Sequence, residues 1–280
     1  MTEALQKKVD FAIKLLRSIP TDDGPIEVSF SGGKDSEVIL ELAKMAGIPY
    51  RAIYKNTSID PPGTIAHCKS KGVEVLAPTI NFFDLVKQTG MPTRFRRICC
   101  SYLKEYKVCD RAVQGIRRSE SVKRAKRYHE PEVCRTYPNK QKARIYLPIL
   151  EWTDEDVAQF IAERGIKCHP LYYDEQGNFH VERRLGCIGC PLRSDIGKSD
   201  FVKYPKFLKR LIASTQIFID THPAAKTAKD YGNAYNRVFR ALFCNSTEQY
   251  KSLTTGGMFP EIAIDPKKFL EDYFKIDLTI

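Results

Sequence analysis

Apolar residues recur at helical spacing from Met1 to Ser18, where Leu5, Val9, Phe11, Ala12 and Leu15 mark one amphipathic helix. A short β-prone run, Glu27 to Ser31, comes next, followed by a glycine pair and the segment EVILELAKMAG. There Val38, Leu40, Leu42 and Ala43 suit a buried helix that ends at Gly47. Tyr50 to Tyr54 reads as a second strand, leading through the polar turn Asn56-Thr57-Ser58 to a helix that begins near Pro61 or Pro62. Val73 to Leu76 makes a third strand. Strands and helices alternating at such short intervals predict an α/β fold, a doubly wound parallel sheet with helices on both faces and ligands at the carboxyl ends of its strands.

Past Asn81 the pattern predicts a helix over FFDLVKQTG, then the basic stretch Arg94, Arg96, Arg97 running into Cys99-Cys100 and a helical run through Lys107. Arg111 to Arg127 is dense in cations, and Ile145 to Ile149 reads as a strand. Thr153 with Asp156 forms a near capping box opening the helix DEDVAQFIAERG, which Gly165 stops. Beyond Cys187-Ile188-Gly189-Cys190, the span Phe201 to Phe243 reads as helices. The expected division is a nucleotide-binding domain over residues 1–190, carrying the N-terminal helix and the cysteines, and a helical C-terminal extension over 191–280.

Composition narrows the setting. Hydrophobic residues at 42% and charged residues at 28% are ordinary for a soluble enzyme. No apolar run approaches the roughly 18 residues of a membrane span, and the N-terminus lacks a signal-peptide core, so a cytoplasmic protein without membrane attachment is expected. Nine cysteines in such a chain should be mostly reduced thiols, with clustered ones pointing to metal or redox chemistry. The net charge of +11 favours polyanionic partners, although a merely basic soluble enzyme would look the same.

The chemistry starts at Ser31-Gly32-Gly33-Lys34-Asp35-Ser36, where strand turns into helix. A helix N-terminus exposes unpaired N–H groups and a partial positive charge, and glycines let backbone approach a phosphate closely. Gly32 and Gly33 supply the approach, Lys34 a cation, and Ser31 and Ser36 hydroxyls, so the segment could cradle a triphosphate or departing pyrophosphate. Asp35 could orient the loop or contact magnesium. The GxxxxGK[ST] spacing is absent, which disfavours a P-loop ATPase. The plain alternative is a Ser-Gly-Gly turn that only joins strand to helix.

The hexapeptide resembles the PP-loop ATP pyrophosphatases, and further matches narrow the resemblance to the phosphoadenosine phosphosulfate (PAPS) reductase family, whose fold is of the adenine nucleotide alpha hydrolase-like (HUP) type. Asn56-Thr57 with Asp60, Pro62 and Thr64 resembles the segment after the adenosine-binding strand, with Asn56 and Asp60 departing from the usual Asp-Thr-Gly. Cys99-Cys100 with Leu103-Lys104 resembles the Cys-Cys-x-x-Leu-Lys segment, and Gly115-Ile116-Arg117 with Glu120, Ser121 and Arg124 resembles the G-I-R-x-x-E-S-x-x-R signature. Arg117 and Arg124 could pair with phosphate or sulfate oxygens, oriented by Glu120 and joined by Lys104, or the stretch could be a solvated basic face. The resemblance thus implies ATP and magnesium as cofactors, with Ser31 to Ser36, Asn56, Thr57, Gly115, Arg117, Glu120 and Arg124 binding the nucleotide. Lys34, Asp35 and Arg117 are the expected catalytic residues. Trp152 is expected to pack in the core.

Cys187 and Cys190 put two thiols on one tight loop, half a metal site. Together with Cys99 and Cys100 they resemble the ligands of a 4Fe-4S cluster in the family's adenosine phosphosulfate-reducing and DNA-phosphorothioating branches, with a structural Zn2+ site as the competitor. Cys68, Cys109, Cys134, Cys168 and Cys244 are expected to be small core residues, and His169 and His180 to be structural. The family's reductases carry a nucleophilic cysteine in a Glu-Cys-Gly-Leu-His segment, which does not occur among Phe269 to Ile280. The chain therefore more resembles the ATP pyrophosphatase subunit of bacterial DNA phosphorothioation systems. That implies DNA as nucleic-acid partner, a cysteine desulfurase or other sulfur donor protein, and a homodimer as an option. Arg94, Arg96, Arg97 and Arg117 to Arg127, interleaved with Tyr102, Tyr106 and Tyr128, could track a phosphate backbone, and Lys203, Lys206, Lys209 and Arg210 could extend the track or be an ordinary exposed face. The rival readings are a PAPS or adenosine phosphosulfate reductase, a tRNA thiolation enzyme, and a non-catalytic nucleic-acid-binding partner.

Overall fold

The structure, a computed structural model, describes residues 1–106, 109–137, 140–257 and 259–279. In chain order the elements are α1 (Glu3–Arg17), β1 (Ile26–Phe30), α2 (Lys34–Ala46), β2 (Tyr50–Lys55), α3 (Thr64–Ser70), β3 (Glu74–Leu76), α4 (Phe82–Thr89) and α5 (Ile98–Leu103). They continue with β4 (Arg111–Val113), α6 (Val122–Arg127), β5 (Glu132–Thr136), β6 (Lys142–Tyr146), α7 (Asp154–Glu163), α8 (Lys198–Lys203) and α9 (Pro205–Thr221). The last helices are α10 (Lys226–Tyr231), α11 (Ala234–Phe243), α12 (Thr247–Thr255) and α13 (Pro266–Phe274). No described helix is long and apolar enough to cross a membrane.

The chain forms two compact units, residues 1–78 with 103–186, and residues 79–102 with 187–280. These units differ from the expected division at residue 190: α4 and the first cysteine pair group with the C-terminal helices. The reason is aromatic packing. Phe82 and Phe83 of α4 lie 5.8 and 5.2 Å, ring to ring, from Phe207 of α9, so the apolar face of α4 is covered inside the second unit. A hydrophobic pattern reveals that such a face exists and leaves its partner unspecified.

The first unit holds a six-stranded sheet of order β3-β2-β1-β4-β6-β5. It is parallel throughout except for edge strand β5, antiparallel to β6. This is the expected α/β class with one antiparallel edge. Ile26, Val28 and Phe30 of β1 join α1 and α2 in one core, while Glu27, also buried, and Ser29 belong to the alternate side-chain set of the strand. In α1 the buried residues are Leu5, Val9, Ala12 and Leu16, whereas Phe11, read as part of the apolar face, is 53% exposed. Trp152 is buried edge-on to Phe160, with ring centroids 5.3 Å apart.

Three boundaries depart from the sequence pattern. The strand expected over Ile145 to Ile149 lies at Lys142–Tyr146, because Pro148 cannot donate to a ladder and the chain turns there. Strands β4 and β5, three and five residues long, are too short for the sequence pattern to mark. The helix expected to run through Lys107 ends at Leu103, and Lys107 itself lies outside the described residues.

Candidate functional site

The core of β1 ends at Phe30, and the chain reaches α2 through three residues. Gly32 takes φ 76°, and a Cβ there would stand 3.0 Å from Leu185 Cδ2, so both conformation and space call for glycine. Ser31 Oγ accepts from the Gly33 amide at 3.3 Å, and Ser36 Oγ donates to the Gly33 carbonyl at 2.7 Å. The hydroxyls expected to meet phosphate thus also shape the loop. The Lys34 amide donates to the Tyr172 hydroxyl at 3.1 Å, and the Leu185 amide donates to the same oxygen at 3.3 Å. Burial pushes the Tyr172 hydroxyl up to about 12, so it remains a neutral clasp between the helix start and the segment ending at Leu185.

Lys34 is only 5% exposed, with its ammonium 3.4 Å from Asp35 Oδ2 and 3.8 Å from Asp154 Oδ1. Arg117, 1% exposed, donates from Nε to Asp35 and from Nη2 to Asp154, both at 2.7 Å, and from Nη1 to Ser119 Oγ at 3.0 Å. Its guanidinium therefore fixes the first turn of α2 and the first turn of α7; it does not line the cavity at the loop, as an anion-binding or catalytic arginine would. Gly115 permits this approach, since a Cβ there would stand 2.8 Å from the Asp35 carbonyl oxygen. Asp35, which also lines the cavity at the loop, has Arg117 on one oxygen and Lys34 near the other, which suits orientation of the loop.

The cavity of about 150 Å³ above the loop is lined by Ser31, Gly33, Lys34 and Ser36 together with Arg124 and Arg184. Arg124 pairs with Glu120, and Arg184 Nη2 lies 3.7 Å from the other Glu120 oxygen. Burial first, and then the Arg184 charge, pull the Arg124 pKa down, which marks a desolvated corner where two guanidiniums share one carboxylate. Such a corner favours an anion. Arg184 was not singled out from sequence: it sits in an Arg-Arg pair with no motif around it. The basic helix α6 has none of its residues buried, and of the cations from Arg118 to Arg127 Arg124 lines this cavity, beside Glu120.

A second cavity of about 260 Å³ shares Ser29, Ser31 and Leu185 with the first. Its floor carries opposite charges in pairs, Lys55 with Glu27 at 3.3 Å and Arg135 with Glu105 at 2.5 Å. Phe30, Ile53 and Tyr54 supply its apolar side. Lys104 lines this cavity, away from the arginine corner it was expected to join. Asp60 lines it too, accepting from the Thr57 amide at 3.0 Å and the Thr57 hydroxyl at 2.7 Å. Asn56 accepts from the Ser58 amide at 2.8 Å and, like Thr57, does not line the cavity. Asn56 and Thr57 therefore shape the loop after β2, and Asp60 is the residue presented.

The four cysteines expected to bind a metal all lie in the second unit. Cys99 and Cys100 open α5, and Gly189, at φ 67°, makes the turn between Cys187 and Cys190. A Cβ at Gly189 would meet Phe201 at 2.6 Å, and its amide donates to Asp200 at 2.9 Å, so the turn is tightly held. The Cys99 thiol is pushed up by its hydrogen bond with Cys100, by burial, and by the charges of Cys100, Cys187 and Cys190, so the four share one electrostatic neighbourhood. Among the described residues no group of three or more His, Cys, Asp or Glu is arranged to hold a metal ion. Four thiols suit a thiolate-bound centre by their chemistry. Of the other cysteines, Cys68, Cys168 and Cys244 are buried as expected, but Cys109 and Cys134 are exposed.

The sequence profile described as the phosphoadenosine phosphosulfate reductase domain matches residues 25–193. A 37.8 kDa protein of Escherichia phage 186 is 33% identical over 159 residues, 51% of this chain and 45% of that protein. Sulfate adenylyltransferase subunit 2 of Shewanella sp. is 29% identical over 212 residues, 60% of this chain and 67% of the relative. A Methanocaldococcus jannaschii protein is 29% identical over 204 residues, 68% of this chain and 47% of that protein, so the chain spans less than half of the phage and archaeal relatives. Among solved structures, phosphoadenylyl-sulfate reductase from Candida auris gives a TM-score of 0.44 at 13% identity, covering 64% of this chain and 97% of that one. Candida glabrata FMN adenylyltransferase gives 0.46 at 15%, covering 66% and 62%. With the profile spanning more than half of its length, the chain belongs to the phosphoadenosine phosphosulfate reductase domain family.

Proposed function

We propose that the chain binds ATP and adenylates an oxygen nucleophile, releasing pyrophosphate into the cavity above Ser31 to Ser36. The carrying observation is that Lys34, Arg124 and Arg184 line one small polar cavity at the start of α2, together with the Ser31 and Ser36 hydroxyls. Charge that develops on a departing pyrophosphate is stabilised by donors fixed in advance, commonly the largest contribution in such transfers. The nucleophile's oxygen forms a bond to the α-phosphorus, the α–β bridging bond breaks, and pyrophosphate keeps that electron pair. Arg117 and Asp35 act as positioning residues, holding Lys34 at the cavity. The adjoining cavity, with Phe30, Ile53 and Tyr54 on its wall, suits the nucleoside.

The acceptor we propose is a DNA backbone phosphate, in accord with the net charge of +11. A sulfide-level nucleophile from a sulfur donor protein then displaces AMP. Cys99, Cys100, Cys187 and Cys190 would hold a 4Fe-4S cluster, with zinc as the alternative, and a bound cluster would supply a thiolate-ligated iron centre for handling sulfur. The test is pyrophosphate release from ATP with DNA present. Wild type should release it, and Lys34→Ala should lower the rate at least about 100-fold, as expected for loss of one preorganised charge donor; equal rates would overturn the assignment of Lys34.

A further inference from the structure

Phe95 is 101% exposed, the most exposed of the large apolar side chains among the described residues. It sits at the tip of a turn whose stem is buried at Met91 and Pro92. The turn is closed twice, by the Thr93 amide donating to the Arg96 carbonyl at 3.1 Å and the Arg96 amide donating to Thr93 Oγ1 at 3.1 Å. Arg94 anchors it further, donating to the carbonyls of Pro191 at 2.9 Å, Arg193 at 2.5 Å and Ser194 at 3.4 Å. A bare aromatic ring is thus held out by a built turn and flanked by exposed Arg94, Arg96 and Arg97. Three arginines among four successive residues make the tip electropositive.

We infer that this turn docks single-stranded DNA, with an unpaired base stacking on Phe95 and neighbouring phosphates meeting the arginines. An aromatic anchor for a protein partner sits in a ring of further apolar surface that excludes water, whereas the neighbours of Phe95 in the turn are guanidinium groups and a threonine. A single ring flanked by cations fits the alternation of base and phosphate along a strand. A base already stacked inside a duplex leaves no face for it. The same two segments carry the cysteines: residues 93–97 lead into Cys99, and the loop that Arg94 holds follows Cys190. A strand docked on the tip is therefore bound beside the thiols. The choice of DNA over RNA rests on the acceptor proposed above; the stacking geometry does not.

Fluorescence anisotropy of labelled oligothymidine, titrated without ATP, tests this. Phe95→Ala should weaken binding about 10-fold, Phe95→Trp should retain it, and affinity should fall as salt rises from about 50 to 200 mM. Unchanged affinity in Phe95→Ala, or no binding by wild type, overturns the inference. So does tighter binding to duplex or to oligouridine, or equal displacement by polyglutamate, which would reveal a surface for RNA or acidic proteins. Because ATP is absent, a failure of pyrophosphate release leaves this result standing, and a failure here leaves adenylation standing.

Discussion

At the scale of single residues, Arg117 shows how much of the site a sequence conveys. The segment Gly115-Ile116-Arg117 marks a functional arginine, and the structure brings it to Asp35 at the start of α2. What the letters omit is direction: the guanidinium points at Asp35 and Asp154, while Arg124 and Arg184 face the cavity. A run of cations has the same composition whichever member turns inward. Arg117→Ala should destabilise the first unit by about 3 kcal/mol in urea unfolding, the low end for breaking a buried pair, because Asp154 is half exposed and water relieves part of the loss. Arg117→Lys should recover little, since one ammonium cannot serve two carboxylates in the same fork. ATP affinity should fall in both variants. Loss of affinity with stability unchanged would contradict the positioning role.

At the scale of elements, strands and helices with clean periodicity were legible: β1, β2, β3 and α7 lie within one or two residues of their expected bounds, and α2 starts three residues early, at Lys34. The interior strand β4 and the edge strand β5 were not, because runs of three and five residues are too short to set a period. His169 connects element packing to pH. Its Nδ1 accepts from the Leu171 amide at 3.2 Å, and its Nε2 has no hydrogen-bond partner among the described residues. Burial, and then His67 at 5.4 Å ring to ring, lower its pKa, with Glu37 opposing; His67 also pairs with Glu37, and Lys71 lies 3.2 Å from that carboxylate. The folded chain therefore holds His169 neutral at a pH where the unfolded chain binds a proton. Below the ordinary value of about 6.5 the unfolded state takes up that proton, so stability falls as pH falls through this range. Thermal unfolding should show a lower midpoint at about pH 5.5 than at about pH 7.5, with a smaller difference in His169→Gln. An unaltered difference in that variant would assign the acid sensitivity elsewhere.

At the scale of the molecule, the family and the sheet were legible from motif order, whereas the division into units was not. The boundary is set by contacts such as Phe82 with Phe207, far apart in sequence. This regrouping puts both cysteine pairs in the helical unit, whereas the six-stranded sheet belongs to the other unit. Anaerobic purification should give a brown protein with iron and acid-labile sulfide, both lost in Cys187→Ser; a colourless protein holding zinc would contradict the cluster. The proposed adenylation by the first unit is independent of that outcome. It is tested most directly by following ATP labelled at the α- and γ-phosphates, with DNA present, to its products. The γ label should appear in pyrophosphate and the α label in AMP or bound to DNA. ADP and orthophosphate would mean that the β–γ bond breaks, contradicting a loop that accepts departing pyrophosphate.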